Sequence, residues 1–232
     1  MSDPAAPSAG GASSGGGSAG VSSAGLLTLT QWLSPAFPLG GFAYSHGIEW
    51  AVAAGEIADA AGLQRWLEGV LAEGAGRGDA ILLAQALRPG VDHAALDALG
   101  RALAPSRERL AEVLEQGAAL TRTTNALLGL EHDPAVLPVA LGRAAQGLEV
   151  APEQAIALYL QSFAGNLVLA GVRFVPLGQT EGQAVLAALQ PLILRLAAEA
   201  AAAPLEALGS AALRSDLAAM KHETMDVRIF RT

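Results

Sequence analysis

The residues most suggestive of bond-making chemistry are Ala43-Tyr44-Ser45-His46-Gly47, which approximate the G-x-S-x-G nucleophile elbow with alanine at its first position. An elbow serine would attack an acyl carbon, and it must ride on a sharp turn that follows a buried strand. Here Pro35, Pro38, Gly40 and Gly41 precede it, and neither strand nor helix runs through such a segment. Ser45 is therefore expected to cap a helix, with Glu49 in its first turn facing the positive end of the dipole; a serine hydrolase using Ser45 stays as the alternative. The histidines His46, His93, His132 and His222 are scattered, and none has a second histidine four residues on. In Glu131-His132-Asp133 successive side chains point apart, and Asp133 is expected to cap a helix opened by Pro134. His222-Glu223 begins like H-E-x-x-H, but Asp226 stands where the second histidine must be. A nickel carrier using His222, Glu223 and Asp226 is the remaining metal reading.

Other chemistries are excluded by residue type. The chain has no cysteine, which removes disulfides, thiolate zinc, iron–sulfur clusters and a thiol nucleophile, and suits a reducing compartment. Its only lysine, Lys221, follows Met220 rather than glycine, so no phosphate loop is present. Gly74-Ala75-Gly76-Arg77-Gly78 has the wrong spacing for a dinucleotide fingerprint and reads as a flexible break between helices. A net charge of -8 at pH 7 argues against nucleic acid as a partner. Neither a catalytic set nor a cofactor or metal site is expected.

The elements that must position these residues are helical. Alanine and leucine dominate from residue 26 onward, and alternating β-branched runs are absent, which predicts an all-α, single-domain bundle of about eight to ten helices. Helices are expected over 26–34, 44–54, 60–74, 79–88 and 92–103. After Pro105, Ser106 is expected to cap a helix whose buried stripe is Leu110, Val113, Leu114, Gly117, Leu120, Thr121, Thr124 and Leu128. Pro152-Glu153 opens another helix with Ile156, Tyr159, Leu160, Phe163 and Leu167 on one face. Residues 154–172 are uncharged, but Gln154, Gln161, Ser162 and Asn166 interrupt them, so they read as a buried helix rather than a membrane span. A last stripe runs through Val185, Leu186, Leu189, Ile193 and Leu196, with Pro191 expected to bend it. Three units result: residues 1–25, a Gly/Ser/Ala-rich flexible tail; 26–219, the helical domain; and 220–232, a tail mixing charge with apolar anchors that suits partner docking. The first basic residue is Arg65, so no secretory or mitochondrial leader is expected, and no membrane.

Three segments are more rigid or polar than a helical core requires: 35–49, 173–183 and the C-terminal tail. Their residues resemble the UreF family of urease accessory proteins. Ser34-Pro35-Ala36-Phe37-Pro38-Leu39-Gly40-Gly41-Phe42-Ala43-Tyr44-Ser45-His46-Gly47-Ile48-Glu49 is similar to the family's S-P-x-x-P-x-G-G-F-x-Y-S-x-G-L-E opening. Pro176-Leu177-Gly178-Gln179-Thr180-Glu181-Gly182-Gln183 is similar to its P-L-G-Q-T-x-G-Q loop, and Met220-Lys221-His222-Glu223 to its M-R-H-E ending. Lys221 replaces the commoner arginine, Ile229 a leucine and Thr232 a serine.

The resemblance implies an all-α, cytoplasmic homodimer without an active site of its own. Such chaperones bind the accessory protein UreD (also called UreH) and the nickel-carrying GTPase UreG. Together they dock on apo-urease, where nickel insertion and metallocentre assembly accompany GTP hydrolysis; UreF-like proteins have been likened to GTPase-activating proteins. By the same analogy the tail orders against UreD, with Ile229 and Phe230 as apolar anchors and His222, Glu223 and Arg228 as polar contacts. The turn carrying Tyr44, Ser45 and Glu49, and the loop carrying Arg173, Gln179 and Gln183, are the expected faces for the complex or the dimer.

Overall fold

The computed structural model describes residues 22–231, and all statements of fold concern these. The expectation for residues 1–21 and for Thr232 lies outside them. Ten α-helices follow one another with no strand among the described residues: α1 Ser23–Trp32, α2 Ile48–Ala53, α3 Ala60–Ala72, α4 Ala75–Ala86, α5 His93–Ala102, α6 Arg107–Leu128, α7 Leu137–Ala145, α8 Pro152–Phe174, α9 Gln179–Ala202 and α10 Leu213–His222. Short 3-10 turns lie at Gly41–Ala43 and Leu205–Ala207. The all-α expectation is met.

Local chemistry explains most starts. Asp59 accepts from the Gly62 N–H at 2.6 Å, Asp92 from those of Ala94 and Ala95, and Ser106 from that of Arg109, so each satisfies a backbone donor that its helix leaves open. Pro152 begins α8, where a missing N–H is harmless. Glu181 reaches back to the Gly178 N–H at 2.9 Å and fixes the start of α9.

Helix α8 is the axis of the molecule. It packs along α9 and also touches α1, α2, α3 and α4, while α6 and α4 both pack on α7. Its expected face, Ile156, Tyr159, Leu160, Phe163 and Leu167, is buried. On α9, Val185, Leu189, Ile193 and Leu196 are buried and Leu186 half-buried, and the helix runs on through Pro191. Both α8 and α9 are long and apolar enough to cross a membrane, yet most of α8's most apolar stretch is buried against its neighbours. At Gly117 the chain before α7 crosses α6 so closely that a Cβ would stand 1.9 Å from the Ala135 carbonyl oxygen.

Five expectations are corrected. Helix α1 starts at Ser23, inside the stretch read as a flexible tail, because the Ser22 hydroxyl caps it. Residues 44–47 are not helical; α2 starts at Ile48. The expected break at 74–78 is shorter: Glu73 and Gly74 separate α3 from α4, and residues 75–78 form the first turn of α4. Asp133 caps nothing: 130–136 is irregular, and Val136 leads into α7 with Pro138 in its first turn. On α6 the expected stripe is buried at Val113, Gly117, Leu120, Thr121 and Thr124, but the buried face also takes in Arg109, Glu112 and Gln116, while Leu110 and Leu114 are half-buried and Leu128 is exposed.

Candidate functional site

Two polar clusters flank the turn at residues 44–49, and this turn owes its shape to backbone conformation. His46 and Gly47 both have left-handed φ, +50° and +74°. Gly47 has no alternative: a Cβ there would lie 2.6 Å from the Ala219 N, against α10. A non-glycine residue held left-handed is strain that the surroundings must maintain. His46 is held by Glu112, 2.7 Å from its Nε2, and by the edge of the Phe163 ring at 4.9 Å.

The inner cluster is built around Arg109 of α6. Its guanidinium donates to Glu112 at 2.8 Å and to Asp79 of α4, and the Tyr159 hydroxyl of α8 donates to Asp79 at 2.5 Å. Gln116 donates to the other Glu112 oxygen at 3.0 Å. Arg109, Asp79, Glu112, Gln116 and His46 are all more than nine-tenths buried, as is Tyr159. Burial alone would raise the Glu112 carboxyl, but His46 and Arg109 prevail and hold it down at about 2. Burial works against the Arg109 charge, and Asp79 and Glu112 more than reverse it, so its pKa is raised. Burial, then the neighbouring Asp79, pushes the Tyr159 hydroxyl well above its ordinary value. One guanidinium thus serves two carboxylates, and the Tyr159 hydroxyl and the Gln116 amide add neutral donors, so each buried charge is paired and hydrogen-bonded.

The outer cluster centres on Glu49 of α2. One carboxylate oxygen accepts from the Ile229 N–H at 2.8 Å; the other accepts from the Phe230 N–H at 2.9 Å and lies 3.1 Å from His222 Nε2. His222 is fully buried, and its Nδ1 lies 2.8 Å from Glu108, which also receives Arg228 at 2.7 Å. A neutral imidazole has one N–H, so one of the two facing carboxylates is matched only when the ring or a carboxyl carries an extra proton. Glu223 accepts from the backbone N–H groups of Arg107 and Glu108 and pairs with the Arg107 side chain at 2.9 Å, capping α6 from outside the helix. Burial opposes the charge on Glu49 and on Glu223, yet both carboxyls are lowered. For Glu49 the cause is the Phe230 N–H, His222 and the Ile229 N–H; for Glu223 it is Arg107 and the two α6 amides.

The tail completes the turn. The Arg231 N–H donates to the Ala43 carbonyl at 2.8 Å, and the Arg231 side chain and the Tyr44 hydroxyl meet on Glu115 at 2.5 and 2.6 Å. Burial, then the bond to Glu115, pushes the Tyr44 hydroxyl up to about 12. Phe230 is buried against Phe174 at 5.3 Å, with Arg173 over its face at 5.4 Å.

Most of the sequence-predicted site residues therefore come together, though not as free surface. Tyr44, Glu49, His222, Glu223, Arg228 and Phe230 hold the tail to its own domain, with Arg173 beside Phe230. Ile229 alone of these points its side chain largely into solvent. Gln179 and Gln183 form no loop; they are exposed on the first two turns of α9 and make no side-chain hydrogen bond to either cluster among the described residues. Ser45 does not cap α2, because Gly47 occupies that position. It is fully buried, its carbonyl accepts from the Ile48 N–H at 3.0 Å, and no strand precedes it among the described residues, so the hydrolase elbow has no structural support there. His222, Glu223 and Asp226 do not converge. Among the described residues no group of three or more His, Cys, Asp or Glu is arranged to hold a metal ion. Sequence reasoning missed Asp79, Arg107, Glu108, Arg109, Glu112 and Glu115. On α6, Glu108, Glu112 and Glu115 recur at four and three and place three carboxylates on one face, but that spacing does not say which of them is buried or with what partner.

Fold and site together describe a helical protein whose buried charges pair with one another and fasten distant parts of one chain. The sequence profile of the UreF family matches residues 57–190. The urease accessory protein UreF of Cereibacter sphaeroides (strain ATCC 17029 / ATH 2.4.9) is 65% identical over 207 residues, covering 89% of this chain and 98% of that protein. Those of Paracoccus denitrificans (strain Pd 1222) and Roseobacter denitrificans (strain ATCC 33942 / OCh 114) are 53% and 47% identical, over 89% of this chain and 95% and 93% of theirs. The chain belongs to the UreF family of urease accessory proteins.

Proposed function

We propose that this protein is a non-catalytic adaptor of urease maturation. It binds UreD (UreH) and the GTPase UreG, works as a cytoplasmic homodimer, and couples nickel delivery by the GTPase to apo-urease without holding the metal itself. The observation that carries this reading is a row of large apolar side chains left in solvent on α10 and the tail: Leu213, Leu217 and Met220 at four and three, then Val227 and Ile229, at 77% and 74% exposure. Exposed apolar residues grouped on a backbone pinned from beneath suit a protein partner better than a soluble end. In this reading Glu49 and His222 are not partner contacts. They present the surface that is.

The test is association in solution. Light scattering after size exclusion of the full chain mixed with UreD and UreG is expected to give one complex. Val227→Asp with Ile229→Asp should reduce its formation at least roughly tenfold, the loss expected when central anchors of an interface are removed, while the helical circular dichroism stays unchanged. Undiminished binding by the double variant would remove the tail surface from the proposal, and absence of any complex with the unaltered chain would remove the adaptor.

A further inference from the structure

Helix α10 ends on a buried histidine with a carboxylate on each side. His222 has no exposed surface; its Nδ1 lies 2.8 Å from Glu108 of α6 and its Nε2 lies 3.1 Å from Glu49 of α2. These two carboxylates are also the ones that hold the C-terminal tail. Glu49 accepts the N–H groups of Ile229 and Phe230, and Glu108 accepts from the Arg228 side chain. The other charged groups on the surrounding elements have partners of their own. Glu49 is the only charged residue of α2. On α6, Arg107 pairs with Glu223 and Arg109 turns inward to Asp79 and Glu112. On α10, Lys221 lies over the Trp50 ring and Asp216 accepts from Ser210, while Arg214 pairs with Glu56 above Trp66 of α3. Arg231 reaches Glu115, and Asp226 is exposed.

A neutral imidazole has one N–H and one lone pair, so it donates to one of these carboxylates and turns a lone pair towards the other; the imidazolium donates to both. We infer that His222 is a proton-operated clasp on the C-terminal tail. With the ring charged, Glu49 and Glu108 are both fixed and residues 228–230 are held on them. With the ring neutral, one carboxylate loses its donor, turns away and takes its tail contact with it. The sign follows from the charge: the tail is held more firmly at the acid end of the range in which imidazoles titrate, about pH 5 to 8, and loosens as pH rises through it. Glu49 does not blur this response. Burial opposes its charge, but the Phe230 N–H, His222 and the Ile229 N–H hold its carboxyl below the ordinary carboxylate value, so it stays ionised throughout. The clasp is a property of the chain alone. Its consequence, that pH governs how firmly the exposed Val227 and Ile229 are presented, rests on the adaptor reading; the test uses no accessory protein, so the two fail separately.

The full chain labelled with nitrogen-15 in its histidines gives four imidazole signal sets. His222→Gln identifies that of His222; should this variant not fold, Glu108→Gln, which changes the group facing Nδ1, identifies it by its shift. The expected result is a ring with both nitrogens protonated at about pH 5.5 and one at about pH 8.5. Over the same range the amides of Ile229 and Phe230, corrected for the intrinsic pH dependence of exchange, should lose roughly tenfold in protection, as loss of one charge-assisted bond allows, while those of α8 keep theirs. Glu108→Gln separates a clasp from a merely structural contact. Its amide can donate to a neutral Nδ1 while Nε2–H donates to Glu49, so the ring no longer needs the extra proton and protection at 229 and 230 should become flat with pH. Four results each overturn the inference: a ring already neutral at about pH 5.5, a ring that keeps both protons beyond about pH 9, tail protection that does not follow the ring, or a Glu108→Gln tail that keeps the full pH dependence.

Discussion

The Arg109 and Glu49 clusters meet the same turn, at His46 and at Glu49, draw on the same residue types, and do different things. Arg109 joins α6 to α4, and Tyr159 brings in α8, so every member sits on a core helix or against one. Glu49 instead accepts backbone N–H groups from a tail with little apolar anchorage of its own beyond Phe230. The inner cluster adjusts the fit of helices that apolar packing already holds. For residues 229–231, the outer cluster supplies most of the fold. Buried charge therefore has two uses here, orientation within the core and retention at its edge, and they should differ in how damage spreads.

Arg109→Ala should have the largest effect. It strands Asp79 and Glu112 without their cation, and breaking a buried pair costs about 3 to 5 kcal/mol; urea unfolding should show a single, much earlier transition. Glu49→Ala should cost about 2 to 3 kcal/mol, because charge-assisted bonds to Ile229, Phe230 and His222 go together, and here the damage should stay local. Amide exchange at 229–231 should become fast while the amides of α8 remain protected. If Glu49→Ala instead unfolds the whole chain, the distinction between the clusters fails. Acid should separate them more finely. The Glu112 carboxyl, near 2 when folded, contributes stability that is fully present above its unfolded value of about 4.3 and is lost as pH falls from there towards 2. The limiting slope is about 1.4 kcal/mol per pH unit for one such group. Urea midpoints measured from pH 5 to pH 3 should fall accordingly, and less steeply in Glu112→Gln.

The sequence was most informative where structure is local. Ser106 and Pro152 mark helix starts because each acts on amides within its own first turn, and the α8 stripe is readable because its partners are apolar and interchangeable. The polar part of the buried α6 face escaped notice for the opposite reason. Arg109 and Glu112 are inside only because Asp79, 30 positions away, and His46, 63 positions from Arg109, wait for them, and no periodicity of α6 encodes that. The 44–49 turn follows the same logic: its motif drew notice, but its form depends on Gly47 lying against the backbone of α10. Family resemblance pointed to Glu49, His222 and Phe230 without revealing that they bind each other.

The outer cluster also sets a clock on synthesis. Glu49 is made 181 positions before Phe230, whose N–H it accepts. At roughly 5 to 20 residues per second, translation leaves that carboxylate waiting on the order of ten to forty seconds for its amides. Throughout that interval the turn at 44–49 lacks the chain that will close over it. The nascent protein is most exposed to capture or misassembly at this turn, and the arrival of residues 229–231 removes the opportunity.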